Sequence, residues 1–156
     1  VCSKSRAGAH KEVQQPMLNH DQHSPTSSPP ARVLVVDQSD DTRNVLRTVL
    51  ERQGIEFLEA LTASDGLKLL RQHRPNVVVL DLESDATESA KLQAEYGREL
   101  AAQQAQMVIL GNLQHVETAK SVHRFLKPYH YRCLVQEIER LVQLNSCGNH
   151  PVPAPS

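Results

Sequence analysis

The stretch Asn76-Val77-Val78-Val79-Leu80-Asp81 constrains this chain more than any other. Its apolar residues are consecutive, and most of them are β-branched, which favours extended backbone. A strand that is apolar on both alternating faces must be covered on both sides, as happens inside a parallel sheet layered with helices. Arg32-Val33-Leu34-Val35-Val36-Asp37 and Met107-Val108-Ile109-Leu110 have the same character. Ile55-Glu56-Phe57-Leu58-Glu59-Ala60 alternates and reads as a weaker strand, and His123-Arg124-Phe125-Leu126-Lys127-Pro128 reads as a fifth.

Helical patterns separate these runs. Ser39 or Asp40 can cap a helix whose Val45, Leu46, Val49 and Leu50 recur at helical spacing, with Gly54 as its stop. Thr62 or Ser64 starts a second helix with Leu67, Leu69 and Leu70 inward, ended before Pro75. A polar helix is predicted over about Thr87 to Gln104. Its run Lys91-Leu92-Gln93-Ala94-Glu95-Tyr96-Gly97-Arg98-Glu99-Leu100 reads as a solvated face. A last helix runs from about Tyr131 to Leu144, with Leu134, Ile138, Leu141 and Val142 on one face. Strands alternating with helices imply an α/β, doubly wound, flavodoxin-like parallel sheet of five strands.

The domain is expected over 31–144. Val1 to Pro30 is rich in Ser, Gln, His and Pro and should be a disordered leader, and Asn145 to Ser156 a disordered tail. The net charge of −1 offers no general attraction to nucleic acid or anionic membrane. No apolar run approaches a membrane span, and Val1 to His10 lack the apolar centre of a secretory signal. Cys2, Cys133 and Cys147 are too few and too scattered for a disulfide framework or a metal knuckle, so a cytoplasmic setting is expected. Cys133 reads as a small apolar helix residue. His20 and His23 lie close together without further ligands, and His73, His115, His123 and His130 read as surface residues.

In sheets of this kind, ligands sit at the carboxyl ends of the strands, near the point where strand order reverses. Strand one ends in Asp37, strand three in Asp81 and strand five in Lys127. Two carboxylates and an ammonium should therefore meet at one edge. Clustered carboxylates suit a hard divalent cation, usually Mg²⁺. A carboxylate beside a metal ion and a lysine can also attack a phosphoryl group, whose charge the cations neutralise.

Val33-Leu34-Val35-Val36-Asp37-Gln38-Ser39-Asp40-Asp41-Thr42-Arg43-Asn44-Val45-Leu46, Arg74-Pro75-Asn76-Val77-Val78-Val79-Leu80-Asp81-Leu82 and Phe125-Leu126-Lys127-Pro128-Tyr129 occur in this order. Together they resemble the response-regulator receiver domains of two-component systems, over about Ala31 to Leu144. The resemblance implies a phosphorelay module rather than an enzyme. Asp81 would be its phosphoacceptor, and Lys127 would contact the phosphoryl group. Asp37, Asp81 and the backbone carbonyl of Glu83 would hold Mg²⁺, and Lys127–Pro128 would be a cis peptide. The partners implied are a histidine kinase or phosphotransfer protein upstream and a protein contact downstream, with no nucleic acid or membrane.

The chain departs from the family pattern at several points. Gln38 stands where a second acid is usual, and Gly111 where strand four usually ends in Ser or Thr. Asp40 or Asp41 could replace the missing acid only through a rearranged loop, and Asn112 could offer an amide. Leu82-Glu83-Ser84-Asp85-Ala86-Thr87 lacks the usual Pro and Gly and adds negative charge. The segment between Gly111 and Lys127 is short, so the family's fourth helix should be stunted, and Arg124 occupies the aromatic switch position of strand five. These departures motivate an alternative, a pseudo-receiver that binds proteins without taking phosphate. A flavodoxin-like small-molecule site is a third reading, but Gln38-Ser39-Asp40-Asp41 is not a glycine-rich phosphate loop.

Overall fold

A computed structural model describes residues 28–82, 86–111 and 120–147. The leader before residue 28, Glu83, Asp85, Asn112, His115 and the tail after residue 147 lie outside the described residues, as does most of the segment expected to hold the stunted helix.

Strands β1 (Arg32–Val36), β2 (Glu56–Ala60), β3 (Val77–Asp81), β4 (Gln106–Leu110) and β5 (Val122–Phe125) form one sheet. Its order is β2-β1-β3-β4-β5, and every pairing is parallel. The helices are α1 (Asp40–Arg52), α2 (Ala63–His73), α3 (Ala86–Gln103) and α4 (Tyr131–Cys147). The expected five-stranded doubly wound sheet is therefore present.

Alternation along the central strands divides the core in two. Val33, Val35, Val77, Val79, Val108 and Leu110 face α1 and α4, where they meet Leu46, Leu50, Leu134, Ile138 and Leu141. Leu34, Val36, Val78, Leu80, Met107 and Ile109 face α2 and α3, where they meet Leu67, Leu70, Tyr96 and Leu100. Both faces of β1, β3 and β4 are thus covered, which is what their unbroken apolar runs require.

Local signals set most element ends. Ser39 caps α1, its hydroxyl accepting from Thr42 N, and Gly54 turns the chain at φ +76° after the helix. Thr62 caps α2 by accepting from Asp65 N, and Arg74 ends it in a left-handed conformation. The last helix extends three residues past its expected end, to Cys147. Asn145 Nδ2 donates to Asn76 O at 2.8 Å there, tying the end of α4 to the amino edge of the sheet.

Several expectations about faces need correction. Val45 is exposed, and α1 buries Thr42 and Arg43 alongside Leu46 and Leu50. The Lys91–Leu100 run is not wholly solvated, because Gln93, Tyr96 and Leu100 are buried. Tyr96 OH donates to Ala63 O at 2.5 Å, linking α3 to the start of α2. Gly66 makes that approach possible, since a Cβ there would run into the Tyr96 hydroxyl and the Val36 side chain. Burial pushes the Tyr96 hydroxyl pKa up, with a smaller push from Asp65. Cys133 is exposed rather than packed. His123 is half-buried, with Nδ1 3.2 Å from Glu137 Oε1 on α4.

Candidate functional site

The parallel register lines up the carboxyl ends of the strands. Val36 pairs with Ala60 on one side and Leu80 on the other, so Asp37 and Asp81 emerge next to each other where strand order reverses. The next residue, Asp37, is held by its backbone at both ends. Its N–H donates to Ala60 O at 3.1 Å, and its carbonyl accepts from Arg43 Nη1 at 2.5 Å. Its carboxylate Oδ1 accepts from Ser39 N at 2.7 Å, a local turn typical of Asp. Oδ2 of the same carboxylate is buried with no hydrogen-bond partner.

Asp81 is the last residue of β3, and its side chain is only 7% exposed. Lys127 Nζ lies 2.6 Å from Asp81 Oδ2. The expected strand-end position of Lys127 needs correcting, because β5 stops at Phe125 and Lys127 sits two residues beyond it. Gly111 N donates to Phe125 O at 3.0 Å, which fixes the point from which Lys127 reaches back across β4 to β3. The Lys127–Pro128 peptide is cis.

These residues line one open cavity of about 540 Å³, together with Ser39, Thr42, Pro128, Tyr129 and Tyr131. Asp37, Asp81 and Lys127 are therefore brought together, while Glu83 lies outside the described residues. Gln38 is exposed and does not line the cavity. Asp40 forms an ion pair with Arg43, whose guanidinium also donates to Glu59 at 3.3 Å. It belongs to that network and does not stand in for the missing acid. Gly111 adopts φ +136°, a backbone conformation that side chains resist.

Thr42 and Tyr131, on the hydroxyl and aromatic part of the cavity lining, did not stand out in the sequence. Tyr129 meets Tyr131 edge to face at 5.8 Å and Phe125 edge to face at 6.5 Å. Tyr131 OH lies 3.2 Å from Thr42 Oγ1. Burial raises the Tyr129 pKa to about 12, with further pushes from Tyr131, Asp37 and Asp81. It stays neutral near two acids. The Lys-Pro-aromatic motif signalled Tyr129, and the buried position of Thr42 in the first turn of α1 is what links Tyr131 to the site.

Two carboxylates and one ammonium leave an excess negative charge, and a buried carboxylate oxygen without a donor is costly. Oδ2 of Asp37 meets the requirements of a hard cation's ligand, so the residues present fit a divalent metal ion. Among the described residues, no group of three or more His, Cys, Asp or Glu is placed to share one.

The fold superposes on a CheY-like receiver domain protein from Methanospirillum hungatei with a TM-score of 0.61, covering 77% of this chain and 100% of the other at 20% identity. It superposes on a response regulator from Thermotoga maritima with a TM-score of 0.56, covering 74% and 99% at 18% identity. The fold is that of a response-regulator receiver domain.

Sequence relatives of this receiver fold agree with it. The chain is 40% identical over 52 residues to PilH of Pseudomonas aeruginosa, covering 33% of this chain and 43% of PilH. It is 42% identical over 50 residues to the transcriptional regulatory protein AfsQ1 of Streptomyces coelicolor, covering 32% and 22%. It thus spans less than half the length of these curated relatives. No family model matches the chain. No helix among the described residues of the receiver is long and apolar enough to cross a membrane.

Proposed function

We propose that this receiver accepts a phosphoryl group on Asp81 and signals by protein contact within a two-component phosphorelay. One observation carries the reading: a buried Asp81 carboxylate held by Lys127 at 2.6 Å, in the same cavity as the unpartnered Asp37 Oδ2. An Asp81 oxygen attacks phosphorus, a P–O bond forms, and the bond to the leaving group breaks with its electron pair on the leaving atom. The Lys127 ammonium, adjacent to the attacking carboxylate, offsets charge on the transferring oxygens. Asp37, Asp81 and the backbone carbonyl of Glu83 would hold Mg²⁺, which supplies further charge neutralisation there. The donor is a histidine kinase or phosphotransfer protein, the output a protein partner, and the setting cytoplasmic. The chain acts as a relay module rather than as an enzyme that turns over substrate.

Incubation with Mg²⁺ and a small phosphodonor tests this by intact mass. The expected result is an increment of one phosphoryl group that Asp81→Asn abolishes. No increment, or an equal one in the variant, overturns the reading.

Two observations favour a pseudo-receiver as a second reading. Gln38 lies outside the cavity, and Gly111 offers no hydroxyl. In that case Mg²⁺ leaves the NMR spectrum unchanged, and Asp81→Ala leaves the partner interaction intact.

A further inference from the structure

The cavity has about 540 Å³. That lies within the range of about 300–1,000 Å³ that whole small organic ligands occupy. Its lining combines Asp37, Asp81 and Lys127 with Tyr129, Tyr131, Thr42 and Ser39. The aromatic and hydroxyl part of that lining is built rather than incidental. Tyr131 is 39% exposed, so its ring presents surface to a ligand. That ring is held edge to face against Tyr129, and its hydroxyl is held by Thr42, which is 5% exposed.

The charges of the cavity bear on the leaving group. Among the described residues lining it, Lys127 is the one cation, and its ammonium is engaged by Asp81. A polyanionic leaving group such as a nucleoside diphosphate would meet two carboxylates there. A neutral planar ring would meet tyrosine rings, which favour edge-to-face or offset contacts with other rings.

We infer that the Tyr131 ring, held edge to face against Tyr129, selects the phosphodonor by its leaving group, favouring a planar nitrogen heterocycle such as imidazole over an aliphatic carboxylate. This rests on Asp81 as phosphoacceptor. The donor carries phosphoryl on one ring nitrogen and a proton on the other. An Asp81 oxygen forms the new bond to phosphorus, the P–N bond breaks with its electron pair on nitrogen, and neutral imidazole departs. No further proton or co-reactant is needed.

The test compares phosphoimidazole with acetyl phosphate on the full chain with Mg²⁺, following labelling by intact mass. The readout is the ratio of the two rates in wild type, Tyr131→Leu, Tyr131→Ser and Tyr131→Phe, with circular dichroism to verify folding. The ratio should fall about fivefold in the Leu and Ser variants, the size of one lost aromatic pair, and Tyr131→Phe should keep most of it. An unchanged or raised ratio in the Leu or Ser variant, or an equal fall in Tyr131→Phe, overturns the role of the ring while Asp81 remains the acceptor. Wild type that neither donor labels overturns both.

Discussion

Replacing Asp37 with Asn should stabilise the protein without metal and abolish its response to Mg²⁺. Asp37 and Asp81 follow paired positions on adjacent strands. Strand spacing therefore puts their carboxylates about 5 Å apart. At an effective dielectric of about 20, two such charges repel by about 3 kcal/mol. Lys127 on Asp81 offsets roughly half of this, leaving about 1–2 kcal/mol to be relieved. The Asn side chain keeps the Oδ1 acceptor for Ser39 N. In urea, with a slope of about 1–3 kcal/mol/M, the variant's midpoint should rise by about 0.5–1 M. For wild type, Mg²⁺ at about a hundred times its dissociation constant should add about 2.7 kcal/mol, because it binds only the folded state. The variant should gain little. A variant less stable than wild type without metal, or one that keeps the full Mg²⁺ response, would refute the reasoning.

Gly66→Ala should lower stability by about 1–3 kcal/mol despite the better helix propensity of Ala, because the new methyl collides with Tyr96 and Val36. Thermal melts in wild-type and Tyr96→Phe backgrounds check this, with a smaller loss expected where the hydroxyl is absent. Gly111→Ser, which puts back a hydroxyl at the end of β4, should cost about 1–3 kcal/mol in urea unfolding because φ is +136° there. Tyr129 has its pKa raised from 10.0 to about 12, so the folded state favours its neutral form. The stability this contributes is fully present below pH 10 and is lost as pH rises from 10 towards 12. Tyr96 acts in the same direction. In a Tyr131→Phe background, which leaves Tyr96 and Tyr129 as the only tyrosines, tyrosinate absorbance should therefore rise together with loss of the helical circular dichroism signal, and ionisation well before unfolding would contradict this.

Much of the fold was legible because the decisive signals are local. Val77 to Leu80 and Val33 to Val36 need no partner to announce strands covered on both faces, and Ser39 and Thr62 each cap a helix through a neighbour three residues away. Helix α3 was harder to read. Its inward face is Gln93, Tyr96 and Leu100, and a buried amide in that stripe erases the apolar period on which sequence reading depends. In the same way, Arg43 is buried by its bonds to Asp37, Asp40 and Glu59 rather than by apolar character.

At the site, the sequence by itself determined which charges stand at the carboxyl ends, because Asp37 and Asp81 terminate apolar strands whose direction in a parallel sheet is set. Only the tertiary structure decided how those charges are used. It assigned Asp40 to Arg43, left Gln38 outside the cavity, and had Lys127 reach the expected meeting with Asp81 from beyond β5, at 2.6 Å. It also joined Thr42 to Tyr131 across 89 positions of chain. Such pairings depend on crossovers and on the reach of side chains between elements, and no pattern along the chain encodes a distance between residues that far apart.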